Sequence, residues 1–259
     1  MKLWVLAENT ALPGFAAEHG LSLYIETGSR RILFDAGQSG IFADNARKLG
    51  IDLSRVDLAV LSHGHYDHGG GLLRFLELND TAPIYVNQHA PEPYFNAQDR
   101  YIGLSPALLE SDRLSFVEDS LDLGDGLSLH SCNGWQRHFP VDSFGLQKQA
   151  GEALVSDDFL HEQYLLIQEG SRRVLVSGCS HKGVVNIARW FSPDVLVGGF
   201  HFSKLPVESE QLQRSAACLL EQNTVYYTGH CTGQPQFHDL KRTMGDRLYA
   251  LTGGMEFTL

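Results

Sequence analysis

The chain of 259 residues is 43% hydrophobic and carries a formal net charge of -11, with 20 Lys and Arg against 31 Asp and Glu. That apolar content supports a well-developed core, while the acid excess opposes any long contact with a phosphate backbone, so no nucleic-acid partner is expected. No run of 18 or more apolar residues occurs, and MKLWVLAENT turns polar after seven residues without a small-residue cleavage site, so no membrane partner is expected and the protein reads as cytoplasmic. The four cysteines, Cys132, Cys179, Cys218 and Cys231, form no C-x-x-C pair and suit free thiols in a reducing compartment.

Short runs rich in β-branched and aliphatic residues recur between turn signals and predict strands over 3–8, 21–27 and 30–35, followed by a helix over 42–50. A strand over 57–62 leads into a helix from about 70, and strands are expected at 82–87, 113–119 and 127–132. Further strands at 164–168 and 172–178 precede a helix over 183–191; a strand at 194–199, a helix over 209–222 and a strand at 224–229 follow. The mixture is α and β throughout, with no low-complexity linker and no repeat, and predicts one domain over 1–259. Within it, 130–160 mixes glycine, aromatics and charges without periodicity and reads as an irregular insertion.

Residues 62–71, SHGHYDHGGG, carry the densest chemistry. The stretch follows the apolar run ending at Leu61 and precedes an amphipathic helix, so it lies at the carboxyl end of a strand, where α/β sheets place ligand sites. His63 and His65 can point to one side of a tight loop, and Asp67 and His68 to a neighbouring spot. Imidazole and carboxylate in one volume suit zinc, and also iron or manganese; the following glycines let backbone approach closely. His181, His201 and His230 each follow a strand and a glycine, so all three are expected to reach the same sheet edge.

The pattern His63-Gly64-His65-Tyr66-Asp67-His68 after an apolar strand resembles the HxHxDH signature of the metallo-β-lactamase superfamily. Asp35 in ILFDAG resembles its upstream aspartate, which supports the ligands from behind, and His230 in YYTGHCTG its last histidine ligand. The wider set EHGLSLYIE, ILFDAGQSG, LSHGHYDHGGGL, SGCSHKGVVNI, VGGFHF and GHCTG is similar to a narrower family labelled 7,8-dihydropterin-6-methyl-4-(β-D-ribofuranosyl)aminobenzene-5′-phosphate synthase-like. The resemblance implies a four-layer αββα sandwich with two divalent metal ions at one edge of the sheets, zinc first among the candidates.

One departure stands out. Where the superfamily has a strand ending in Gly-Asp, whose carboxylate bridges the two metals, this chain has Gly178-Cys179, and the residues leave open whether Cys179 coordinates or packs behind the ligands. A histidine usual before a later strand is also missing, with His161 a weak counterpart. On this reading His181 fills the gap: His63, His65 and His181 hold one ion, and Asp67, His68 and His230 the other.

A metal-dependent hydrolase of a small phosphorylated or ester-bearing metabolite is the expected function, with Asp67 also orienting the nucleophile. His201 is expected to hold substrate or protonate a leaving group, with Arg137 and His138 contributing to an anionic substrate's binding from a cap in 130–160. The alternatives are a synthase, for which no phosphate-binding glycine loop is present; a nuclease, opposed by the acidity; and a metal-dependent ligand sensor. A homo-oligomer is among the partners considered.

Overall fold

The computed structural model describes residues 1–259. Along Lys2–Ala7 both faces are apolar: Leu3 and Val5 point into one buried layer, Trp4 and Leu6 into another. Strands covered on both faces read as continuous hydrophobic runs, and that is how this chain builds two sheets with a core between them.

The first sheet has seven strands in the order Glu256–Thr258, Lys2–Ala7, Ser22–Glu26, Arg31–Phe34, Leu58–Val60, Ile84–Asn87, Leu114–Val117. The second, also seven-stranded, runs Leu248–Ala250, Val225–Thr228, Val195–Val197, Arg172–Val176, Tyr164–Glu169, Leu127–His130, Ser120–Gly124. Leu23, Ile25, Phe34 and Val60 of the first meet Leu129, Leu165, Val176 and Val197 of the second in the central core. The helices Ile41–Lys48 and Leu72–Leu78 cover the outer face of the first sheet, and Val184–Phe191, Glu210–Leu220 and Gln234–Met244 that of the second. The architecture is the expected αββα sandwich, and no helix is long and apolar enough to cross a membrane.

Each sheet is antiparallel on one side and parallel on the other. Arg31–Phe34 pairs parallel with Leu58–Val60, and Arg172–Val176, Val195–Val197 and Val225–Thr228 pair parallel with one another. Parallel neighbours end at the same edge, so the segments after these five strands, which carry Asp35, the 62–71 motif, Cys179 with His181, His201 and His230, come out side by side.

One expectation needs correction, and one helix had no counterpart among the predicted elements. Within 130–160, read as irregular, Gln147–Ala150 and Ala153–Ser156 pair as a hairpin that adds to Tyr94–Phe95 in a small third sheet. Helix Gln234–Met244 lacks a dense apolar stripe in sequence; Pro235 in its first turn and the buried Leu240 and Met244 were its signals.

Ile25→Ala, in the layer between the sheets, is expected to cost about 2–5 kcal/mol in urea unfolding. Leu12→Ala, at a side chain 43% exposed, is expected to stay within about 0.5 kcal/mol of the parent in the same assay.

Candidate functional site

The site starts from Asp35, wholly buried and in left-handed backbone conformation with φ 56°. Its carboxylate accepts from Ser62 N at 2.7 Å, Ser62 Oγ at 2.7 Å and His68 Nδ1 at 2.6 Å. Because the Ser62 hydroxyl gives its one proton to Asp35, its contact with His63 Nδ1 at 2.8 Å is one in which the ring donates. His230 Nδ1 lies 2.9 Å from Asn9 Oδ1, an oxygen that also accepts from Gly20 N and is thereby fixed as the acceptor. The network therefore places the protons of His63, His68 and His230 on Nδ1 and leaves each Nε2 with a bare lone pair.

Those lone pairs face other imidazole nitrogens, a cysteine sulfur and a carboxylate oxygen. His63 Nε2 lies 3.3 Å from His181 Nε2, and His68 Nε2 lies 3.3 Å from His230 Nε2 and 3.2 Å from Cys179 Sγ. His230 Nε2 is 3.2 Å from Asp67 Oδ2. His68 Nε2, His230 Nε2 and Asp67 Oδ2 crowd as acceptors without protons between them and repel unless a cation stands among them. Ligands at about 2.0–2.1 Å in a tetrahedral shell are themselves about 3.4 Å apart, so this spacing fits a metal ion. Cys179, left undecided by the sequence, has its Sγ grouped both with His63 and His181 and with His68 and His230. The donor set thus accommodates divalent metal, whereas His65 groups with Asp157 and His161 and not with His63 and His181.

His65 sits beside the first group, its ring 4.6 Å from His63 and 5.1 Å from His181, with a buried Nε2 that has no hydrogen-bond partner and lies 3.9 Å from Asp157 Oδ2. His161 has a different place: Nδ1 accepts the Gly64 N–H at 2.9 Å and Nε2 donates to Asp157 Oδ2 at 3.1 Å. It braces the loop through Nδ1, while its Nε2 groups with His65 and Asp157.

The electrostatics favour neutral imidazole at His63, His65, His181, His201 and His230, and set His68 apart. Burial, reinforced by neighbouring rings, presses His63 and His181 well below the usual histidine range, and burial lowers His230, His65 to about 3 and His201 to about 4. For His68 burial acts the same way but is outweighed by Asp35 and Asp67, which raise it. Burial opposes ionisation of Asp67, yet His68, His19 and His230 together hold it well below the carboxylate range.

A cavity of about 350 Å³ opens onto these atoms, lined among others by Tyr66, Asn96, Leu146, His201, Lys204 and His230. His201, φ 55°, places its ring 4.3 Å from that of His181 and 5.4 Å from Phe144. Arg137 and His138, expected to bind substrate, are not in this wall. The Arg137 guanidinium donates to the Asp158 carbonyl at 3.0 Å, and the segment is drawn away because Trp135 stacks on Phe191 at 5.7 Å and Phe139 N donates to Asn186 Oδ1. The part of 130–160 that reaches the cavity is 144–146 instead. Sequence reasoning also missed His19, whose Nε2 is 3.3 Å from Asp67 Oδ2, and Lys204; the one signal for His19 was its place in EHGLS.

A family model described as the metallo-β-lactamase superfamily matches residues 17–143. The crystal structure of Tm1679, a metal-dependent hydrolase of the β-lactamase superfamily, superposes with a TM-score of 0.82 at 28% identity, covering 100% of this chain and 99% of that one. An uncharacterized protein of Methanocaldococcus jannaschii is 30% identical over 240 residues, 88% of this chain and 90% of its relative. The chain belongs to the metallo-β-lactamase superfamily. Within the superfamily it is also similar to the 7,8-dihydropterin-6-methyl-4-(β-D-ribofuranosyl)-aminobenzene-5′-phosphate synthase of the same organism, 28% identical over 260 residues, 90% of this chain and 88% of the synthase.

Asp35→Asn keeps the side-chain shape but turns one acceptor into a donor facing Ser62 or His68. It is expected to weaken divalent-metal affinity about 10–100-fold in a chelator competition, with the circular dichroism unchanged.

Proposed function

We propose that this protein is a hydrolase that holds two divalent metal ions, zinc foremost, and cleaves a small phosphorylated or ester-bearing metabolite. The observation that carries the reading is the convergence of the His63, His68 and His230 Nε2 atoms, fixed from behind by Asp35, Ser62 and Asn9, on one another and on His181, Cys179 and Asp67. His63, His65 and His181 are assigned to one ion, and Asp67, His68 and His230 to the other, with Cys179 Sγ within reach of His63 and His181 and of His68 and His230. Divalent ions held by these residues would supply an acidified water at neutral pH and polarisation of a phosphoryl or carbonyl oxygen.

The protein's own groups do the rest. Asp67 Oδ2, an acceptor at the cavity floor, holds the attacking water by one of its hydrogens and so aims its oxygen. His201 reaches the cavity from the second sheet, where its ring is set to hold the substrate or pass a proton to the leaving group. Lys204 Nζ, fixed by the Phe144 carbonyl at 3.0 Å, gives the mouth a positive charge that favours an anionic substrate. A cavity of about 350 Å³ suits a metabolite and not a polymer.

A second reading, condensation on an aminobenzene or pterin compound, is favoured by the relative named as a synthase. Product analysis separates the two: hydrolysis consumes water and releases two fragments, whereas a synthase joins two substrates.

His63→Ala and His230→Ala are each expected to lower metal content by elemental analysis, and chelator to abolish turnover of a generic phosphodiester. His201→Ala is expected to keep its metal while turnover falls about 10²–10⁴-fold. Normal metal content in both of the first pair would sink the ligand assignment. In cobalt-loaded protein a near-ultraviolet thiolate-to-metal charge-transfer band is expected, lost in Cys179→Ser and kept in Cys231→Ser.

A further inference from the structure

His63 and His181 stand on different sheets, and their Nε2 atoms meet at 3.3 Å only if two loops are held in register. Three consecutive residues ahead of Tyr164–Glu169 do the holding. His161 accepts the Gly64 N–H; Gln163 donates its N–H to the Ser62 carbonyl at 2.8 Å and its Nε2 to the Leu61 carbonyl at 2.8 Å. Between them Glu162, wholly buried, turns the other way. Its Oε1 accepts His181 N at 2.6 Å, and its Oε2 accepts Lys182 N at 2.9 Å and the Tyr164 hydroxyl at 2.6 Å.

The 180–183 turn needs such an anchor. Ser180 sits in the left-handed region at φ 59° and Gly183 at φ 87°, so the turn is not a regular continuation of the strand before it. Lys182 closes the clamp: its buried Nζ donates to the Ser131 carbonyl at 2.6 Å, Asn133 Oδ1 at 2.7 Å and the Glu162 carbonyl at 2.8 Å. A buried carboxylate with three donors is costly to disturb, because any donor it loses stays buried and unmatched.

We propose that Glu162 is a positioning residue for one metal ion, fixing the His181 turn against the His63 loop so that the first ligand group closes. The proposal rests on the metal-centre reading above. Glu162 makes no hydrogen bond to the Asp67, His68 and His230 group, whose fixing bonds come from Asp35 and Asn9, and reaches His68 only through its charge. Its positioning effect therefore falls mainly on one ion.

Glu162→Gln replaces an acceptor with an NH₂ group facing N–H or O–H donors; Glu162→Asp keeps the charge but withdraws it by one methylene, and decides the matter if the first variant does not fold. Apoprotein is titrated with Zn²⁺ against a chromophoric chelator, and the melting temperature of the apo form is recorded alongside. The expected result is one ion bound as tightly as in the parent and the other about 10–100-fold more weakly, with Tyr164→Phe retaining both. Two ions at parent affinity in a folded variant would overturn the positioning role, as would equal weakening of both with a lowered apo melting temperature. A parent protein that takes up no divalent ion would sink the metal-centre reading and this role with it.

Discussion

A carboxylate buried without a cation beside it must be matched by hydrogen-bond donors, and Asp35 finds all of its side-chain donors in the 62–68 loop. That single requirement ties the end of Arg31–Phe34 to the loop after Leu58–Val60. It also sets the tautomer of His68 directly and that of His63 through the Ser62 hydroxyl. The rest follows from geometry: once two imidazoles present bare nitrogens inward, the loops from the second sheet complete the shells. The glycines serve the same approach, since a Cβ on Gly71 would collide with the Ala36 carbonyl oxygen and one on Gly178 with Ser62 Oγ.

The sandwich was legible because its strands are buried on both faces and its outer helices, where amphipathic, repeat every three to four residues. The 62–71 motif was legible because it is local: four ligand-type residues within six positions carry their own spacing. Elements with weak apolar patterns, such as the exposed hairpin Gln147–Ser156, gave no such signal. Their strand character comes from pairing with each other and, through Gln147 and Lys148, with Tyr94–Phe95, a tertiary effect.

The supporting residues were illegible for a related reason. Glu162 acts on His181 across 19 positions and Asn9 on His230 across 221, and nothing in either local sequence announces the partner. Arg137 and His138 show the reverse error. Residue type in an irregular stretch suggested substrate binding, whereas the neighbouring aromatics decide where the backbone goes, and they pack on helix Val184–Phe191.

Four residues at the site that are not glycine hold left-handed backbone: Asp35, Ser180, His201 and His230. Such conformations cost up to about 1–3 kcal/mol apiece for residues with a Cβ, and glycine would relieve the cost. Natural selection for stability alone would therefore erode these side chains first. Their persistence in one chain means that the fold carries a standing thermodynamic debt at its chemical edge, and a descendant released from that chemistry would be expected to drift toward glycine or asparagine there while its sheets stayed intact.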